Sequence, residues 1–123
     1  IGENNTIEGI VKDISSDSCK VETNKGETII ANPITIKNIG DKTRMSLRPE
    51  RVILNPSDNF ANTFTSVVKE IIYHGDHTRI RVSLLDQDNF ILKVPNSSNF
   101  INIKESDTIS LGWSANDCRA LDL

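Results

Sequence analysis

The chain reads as all-β, and three observations carry that reading. Apolar residues alternate with polar ones instead of recurring every three or four positions, as strands with one buried face require. Turn formers interrupt the alternation roughly every 8–12 residues. The chain also nearly repeats itself: Thr6-Ile-Glu-Gly-Ile-Val-Lys-Asp-Ile14 returns as Thr63-Phe-Thr-Ser-Val-Val-Lys-Glu-Ile71, and Met45-Ser-Leu47 returns as Ile109-Ser-Leu111. A duplicated β unit within 123 residues fits two similar sheets packed together, or two half-barrels. Residues 1–56 are expected to form the first β repeat and 57–123 the second.

The elements follow in order. Residues 6–15 form a long strand, with Gly9 as its expected bending point. Ser16-Asp-Ser18 is a turn into a return strand at 19–24, and Lys25-Gly26 has hairpin chemistry because Gly tolerates positive φ. A third strand at 27–31 ends at Asn32-Pro33, since proline cannot donate to a ladder. Gly40-Asp41 turns the chain into a strand at 43–48, Pro49 stops it, and 52–54 is a short strand. Residues 55–62 are turn formers and connect the halves.

The second half runs as strands at 63–74, 78–85, 89–95, 107–113 and 118–122. His74-Gly75-Asp76 and Asp86-Gln87-Asp88 are its turns, and 95–100 is a loop. Ile80, Val82 and Leu84 share one face of their strand, as do Phe90, Leu92 and Val94, and Ile109, Leu111 and Trp113. A long first strand that bends can serve both sides of a small barrel, so the predicted architecture is an OB-like barrel, or two, of antiparallel strands.

Composition narrows the function. A net charge of −3 with scattered basic residues, densest at Arg48/Arg51 and Arg79/Arg81, speaks against nucleic acid as a partner. Aromatic residues make up 5%, too few for the stacking platforms of single-strand binders. Cys19 and Cys118, the two cysteines, read as buried thiols on strands. Their number matches no multi-bridge disulfide framework and their spacing no metal site, while a single disulfide between them stays open. No apolar run approaches the roughly 20 residues of a membrane-spanning helix. The polar start without an initiator Met suggests an excised piece of something longer.

No recognisable catalytic set appears. There is no G-x-S-x-G elbow and no G-x-x-x-x-G-K-[ST] loop. His74 and His77 flank Asp76, but on a turn this spacing favours exposed histidines over a metal site. In Ser46-Leu-Arg-Pro-Glu-Arg-Val52, Pro49 pre-sets a corner flanked by Arg48 and Glu50, which could pair with each other or with a partner chain. The second copy carries Gly112-Trp113-Ser114-Ala115 where the first has Arg48-Pro49-Glu50, so only the first copy keeps a charged corner.

That corner, followed by Asn62-Thr-Phe-Thr-Ser-Val-Val-Lys-Glu-Ile71, resembles the C-terminal regulatory (TOBE) region of ABC importer ATPases. Tyr73-His-Gly-Asp-His-Thr-Arg79 is similar to that family's Y-x-G-x-H-T-R turn. Ile1-Gly-Glu-Asn-Asn-Thr6 resembles the stretch where the ATPase domain hands over to this region, and 109–113 and 116–122 resemble its closing strands. Within the family the details are most similar to the spermidine/putrescine import ATPases. Iron(III), sulfate and sugar importers share the architecture.

The resemblance implies a TOBE/MOP-like fold without catalysis or cofactor of its own. The parent would be a cytoplasmic subunit using ATP and Mg, peripheral on the inner face of the membrane beneath a permease pair. Its regulatory regions would contact each other in a homodimer. Arg48, Pro49, Glu50, Arg51, His74, His77 and Arg79 are the candidate interface residues. Two other readings stay open. One is a small-ligand sensor, for which Glu8, Asp13, Glu70 and Asp86 would suit a polycation. The other is a free-standing single-strand binder, which the acidic balance disfavours.

Overall fold

In strand β1 (Asn5–Ile14) the buried positions are Asn5, Ile7, Gly9 and Val11, with exposed residues between them. The same period of two runs through β2 (Cys19–Thr23), β4 (Lys42–Leu47) and β7 (His77–Leu84). The computed structural model describes residues 3–96 and 102–123. The remaining strands are β3 (Thr28–Pro33), β5 (Ile53–Leu54), β6 (Asn62–Tyr73), β8 (Gln87–Pro95), β9 (Thr108–Trp113) and β10 (Cys118–Asp122). Two single turns of 3-10 helix, Pro49–Arg51 and Ala115–Asp117, follow β4 and β9. Most of the loop expected at 95–100 lies outside the described residues, as do Ile1 and Gly2 of the opening stretch.

The strands form a closed barrel in the order β1-β2-β3-β10-β4 and a second, five-stranded sheet in the order β5-β9-β6-β7-β8. The all-β, OB-like expectation holds. Each sheet takes a strand from the other half of the chain. The last strand, β10, runs antiparallel to β4 (Cys118 opposite Leu47), and β5 runs antiparallel to β9 (Ile53 opposite Gly112). The halves are therefore interlocked.

One pairing departs from the antiparallel expectation. β10 lies parallel to β3, with Arg119 opposite Asn32 and Ala120 opposite Pro33. The strand ends at Pro33 as expected, although Asn32 and Pro33 still belong to the ladder. Proline is tolerated because the ladder passes it by: the next amide, Ile34 N–H, donates to Ala120 O at 3.0 Å.

Register ties the repeats together position by position. The first strand of each slips by one residue at the same place, between Val11 and Asp13 in β1 and between Val68 and Glu70 in β6. Gly9 is thus not the break itself. It answers a close approach, since a Cβ there would lie 2.5 Å from Glu22 O and 2.6 Å from Val21 Cγ1. Strand pairing also corrects the expected match of Met45-Ser-Leu47 with Ile109-Ser-Leu111. Asn5 pairs with Leu47 and Asn62 with Trp113, so the counterpart of Leu47 is Trp113 and that of Met45 is Leu111. The two segments between the strand starts differ in loop length, which is where a linear comparison loses register.

The cores carry the expected faces. Ile80, Val82, Phe90, Leu92, Leu111 and Trp113 are buried, and Trp113 stacks on Phe64 at 5.4 Å. Cys19 and Cys118 are buried free thiols in the first barrel. Burial raises the pKa of both, and pushes Cys118 up to about 12. Ile91, on the opposite face of its strand from Phe90 and Leu92, is also buried. It lies under the other repeat rather than in its own sheet's core.

Candidate functional site

Four places bear on function: the seam between repeats, the Pro49 corner, the β6–β7 hairpin tip, and the clasp that holds Glu3.

The seam is built from reciprocal contacts. Asn5, at the start of β1, accepts from Ile91 N–H at 2.8 Å and donates from Nδ2 to Ile91 O at 2.9 Å. Asn62, at the start of β6, does the same to Ile30, at 2.8 Å and 2.9 Å. Both asparagines are buried. Each side chain stands in for a neighbouring strand, satisfying backbone groups that its partner's sheet leaves open. Two ion pairs join residues to their own counterparts: Lys25 Nζ to Asp86 Oδ1 at 3.8 Å and Arg51 Nε to Asp117 Oδ1 at 3.9 Å. Contacts of this kind place both pairs beside a two-fold relation between the repeats.

Beside Lys25 and Asp86 opens a recess of about 300 Å³, lined by Thr6, Glu8, Asn24, Lys25, Leu85 and Gln87 among others. Leu85 and Asp86 make the β7–β8 turn with φ of 53° and 66°, the left-handed pair of a two-residue hairpin. The turn is therefore one residue earlier than expected, and Gln87 already begins β8.

At the corner, Pro49 is buried and starts the 3-10 turn, while Arg48, Glu50 and Arg51 are exposed. Arg48 and Glu50 do not pair with each other, and among the described residues neither makes an ion pair; the corner's bridge is Arg51 to Asp117. Its counterpart in the second repeat is Ser114-Ala115-Asn116-Asp117, not the Gly112–Ala115 stretch expected from sequence. The second copy keeps the turn but replaces each charge, and Asp117 meets the Arg51 it replaces.

At the hairpin tip, His74 and His77 stack with ring centroids 4.6 Å apart, and His77 Nδ1 lies 2.8 Å from Asp76 Oδ1. That contact holds the Asp76 carboxyl below its ordinary range. Asn96 braces the tip, donating from Nδ2 to His74 O at 2.8 Å and accepting from Thr78 Oγ1 at 2.7 Å. Tyr73 stands exposed beside it. Sequence reasoning missed Asn96, whose link to the turn depends on β8 lying next to β7.

At the fourth place the sequence singled out Arg79 but not its partner Glu3. Arg79 binds Glu3 with two nitrogens, Nη2 to Oε2 at 2.6 Å and Nε to Oε1 at 3.0 Å, and Lys93 Nζ stands 3.5 Å from Oε1. The Arg79 bonds, with the Lys93 charge, hold the Glu3 carboxyl down to about 2. Arg79 and Arg81 also face Glu70, at 4.0 Å and 3.5 Å. Of the acidic residues weighed for a polycation, Glu8 is bound to Arg44, Glu70 to Arg81 and Asp86 to Lys25. Each of these three faces a basic residue of its own; Glu8 and Asp86 both line the recess, whereas Glu70 lies beside Arg79 and Arg81, and Asp13 makes no ion pair among the described residues.

Comparison with known proteins follows the same lines. The family described as "TOBE domain" matches residues 45–121. The spermidine/putrescine import ATP-binding protein PotA of Trichodesmium erythraeum is 31% identical over 98% of this chain and 34% of its own length. Its namesake in Pseudomonas fluorescens is 28% identical over 94% of the chain and 29% of its own length. The chain thus spans about a third of the curated relatives it matches. Among solved structures, the cytoplasmic molybdate-binding protein ModG superposes over 100% of this chain and 99% of its own, with a TM-score of 0.82 at 16% identity. That likeness concerns the fold. With a duplicated OB-like architecture and a match covering most of its length, the chain belongs to the TOBE domain family.

Proposed function

We propose that this chain is the non-catalytic regulatory region of the ATP-binding subunit of an ABC importer, serving spermidine and putrescine uptake, and that it holds two such subunits together at the cytoplasmic face of the membrane. The observation that carries this reading is the match to import ATP-binding proteins along nearly the whole chain. The interlocked repeats support it: exchanged strands and reciprocal asparagine contacts make a stiff body, suited to transmitting position rather than performing chemistry. ATP and Mg would be bound by the remaining two thirds of the subunit, and the permease pair would be met through it.

The test is removal of this region from the full subunit. Spermidine uptake by the assembled transporter is expected to fall while ATP binding by the subunit persists. Uptake and its coupling to ATP hydrolysis unchanged by the deletion would overturn the reading.

A second reading, a small-ligand sensor, draws on the recess beside Lys25 and Asp86. Calorimetry with spermidine at millimolar concentration tests it. Heat that disappears in an Asp86→Asn variant would favour it, and absence of heat would discard it.

A further inference from the structure

Asn5 and Asn62 open equivalent strands, so the residues two places ahead of them, Glu3 and Phe60, are equivalent as well. The two are held in different ways. Phe60, on the stretch that joins the repeats, lies against Gly112, where an added Cβ would come 3.1 Å from its ring. Glu3, on the stretch that enters the first repeat, is held by charges: Arg79 of β7 grips it with Nε and Nη2, and Lys93 of β8 stands beside it. An apolar contact resists opening because its surface would have to meet water. A partly exposed ion pair opens readily, since water takes up both charges.

A second partner for Arg79 stands beside the first. Its third guanidinium nitrogen, Nη1, already faces Glu70 Oε1 at 4.0 Å. The Arg79 side chain is 23% exposed and that of Glu3 40%. The more covered cation thus keeps a carboxylate within reach if Glu3 leaves, which avoids the penalty of a covered, unpaired charge. The point of bending is also marked. Asn5 is buried and tied to Ile91 by two bonds, whereas Asn4 is exposed and donates to Ser46 Oγ.

We propose that Glu3 is a releasable latch. Closed on Arg79 and Lys93, it fixes the chain ahead of it against β7 and β8; open, it leaves Arg79 to Glu70 and frees that chain to swing about Asn4. The inference rests on the function proposed above, in which the ATP-binding part of the subunit is joined through this stretch. The latch then sets whether that part is held at one angle to the regulatory region or moves against it.

Distances between two spin labels in the full subunit test it, one at Arg119→Cys on β10 and one on an exposed cysteine of the ATP-binding part, diluted with unlabelled subunit. Glu3→Gln should lower the ratio of held to free distances about 10-fold, the worth of a charge-assisted hydrogen bond. Arg79→Lys, which keeps the charge and loses the fork, should lower it less. Glu70→Gln should raise it, because Arg79 then has one carboxylate fewer to turn to. Sodium chloride at about 1 M, where screening acts within about 3 Å, should free the unmodified subunit and leave Glu3→Gln unchanged. Circular dichroism checks each fold. Distances unmoved by Glu3→Gln, or moved the same way by Glu70→Gln, would overturn the latch. If deletion of the whole region still lowers spermidine uptake, the function proposed above survives that failure. Distances that shift as expected, with uptake indifferent to the deletion, would keep the latch and overturn that reading instead.

Discussion

Asn5 and Asn62 hold equivalent places in the two repeats and make the same pair of bonds in opposite directions, Asn5 to the backbone of Ile91 and Asn62 to that of Ile30. Neither bond set belongs to a sheet ladder. Together they fasten each half of the chain to a strand of the other.

Truncating either asparagine should therefore cost more than an ordinary surface change. Asn5→Ala removes two hydrogen bonds and leaves the amide and carbonyl of buried Ile91 without partners, a loss of about 2–4 kcal/mol. Asn62→Ala should lose about 1–3 kcal/mol, less because Ile30 is only half-buried and water can reach it. Urea unfolding measures both, with the midpoint falling at unchanged slope. A loss below about 0.5 kcal/mol at Asn5 would contradict the fastening role.

Gly9 and Ser66 occupy equivalent positions with opposite needs. Gly9→Ala drives a Cβ into the Glu22 carbonyl and the Val21 side chain and should destabilise by about 1–3 kcal/mol. Ser66 has room for its side chain, but its buried hydroxyl finds no hydrogen-bond partner among the described residues. Ser66→Ala should leave stability unchanged or raise it by about 1 kcal/mol. Thermal unfolding of the two variants should move in opposite directions or, at the least, only Gly9→Ala should fall.

The Glu3 clasp gives an acid limb. Its folded pKa, about 2, lies below the ordinary value of 4.5, so the contribution is complete above pH 4.5 and is lost as pH falls toward 2. Carbon-detected titration of the Glu3 carboxyl should show its midpoint well below 4. The stability gap between the chain and Glu3→Gln should be constant near neutrality and close on acidification. A midpoint near 4.5 would mean that the clasp with Arg79 does not form in solution.

Both thiols should be unreactive in the folded chain. Burial raises the pKa of Cys19 and Cys118, so little thiolate is present at pH 8, and neither sulfur is open to reagent. A thiol-reactive chromogen should label neither in buffer and both in denaturant, at a native rate set by unfolding. Rapid labelling of Cys118 without denaturant would place it at the surface and contradict the closed first barrel.

The strands, their buried faces and most of their turns were legible in the sequence, because a period of two and the chemistry of Gly26 or Pro49 act over a few residues. What the sequence left open was which copy each strand would join. Met45-Ser-Leu47 and Leu111-Gly-Trp113 offer similar edges, so nothing local tells Cys118–Asp122 to lie beside β4 rather than β9. That choice depends on which edge is unfilled once the other strands have closed, a condition set by the whole fold. The same holds for the seam. Asn5, Asp117 and Glu3 read as ordinary polar residues in the chain, and only the crossing of the halves brings each to the partner that gives it a role.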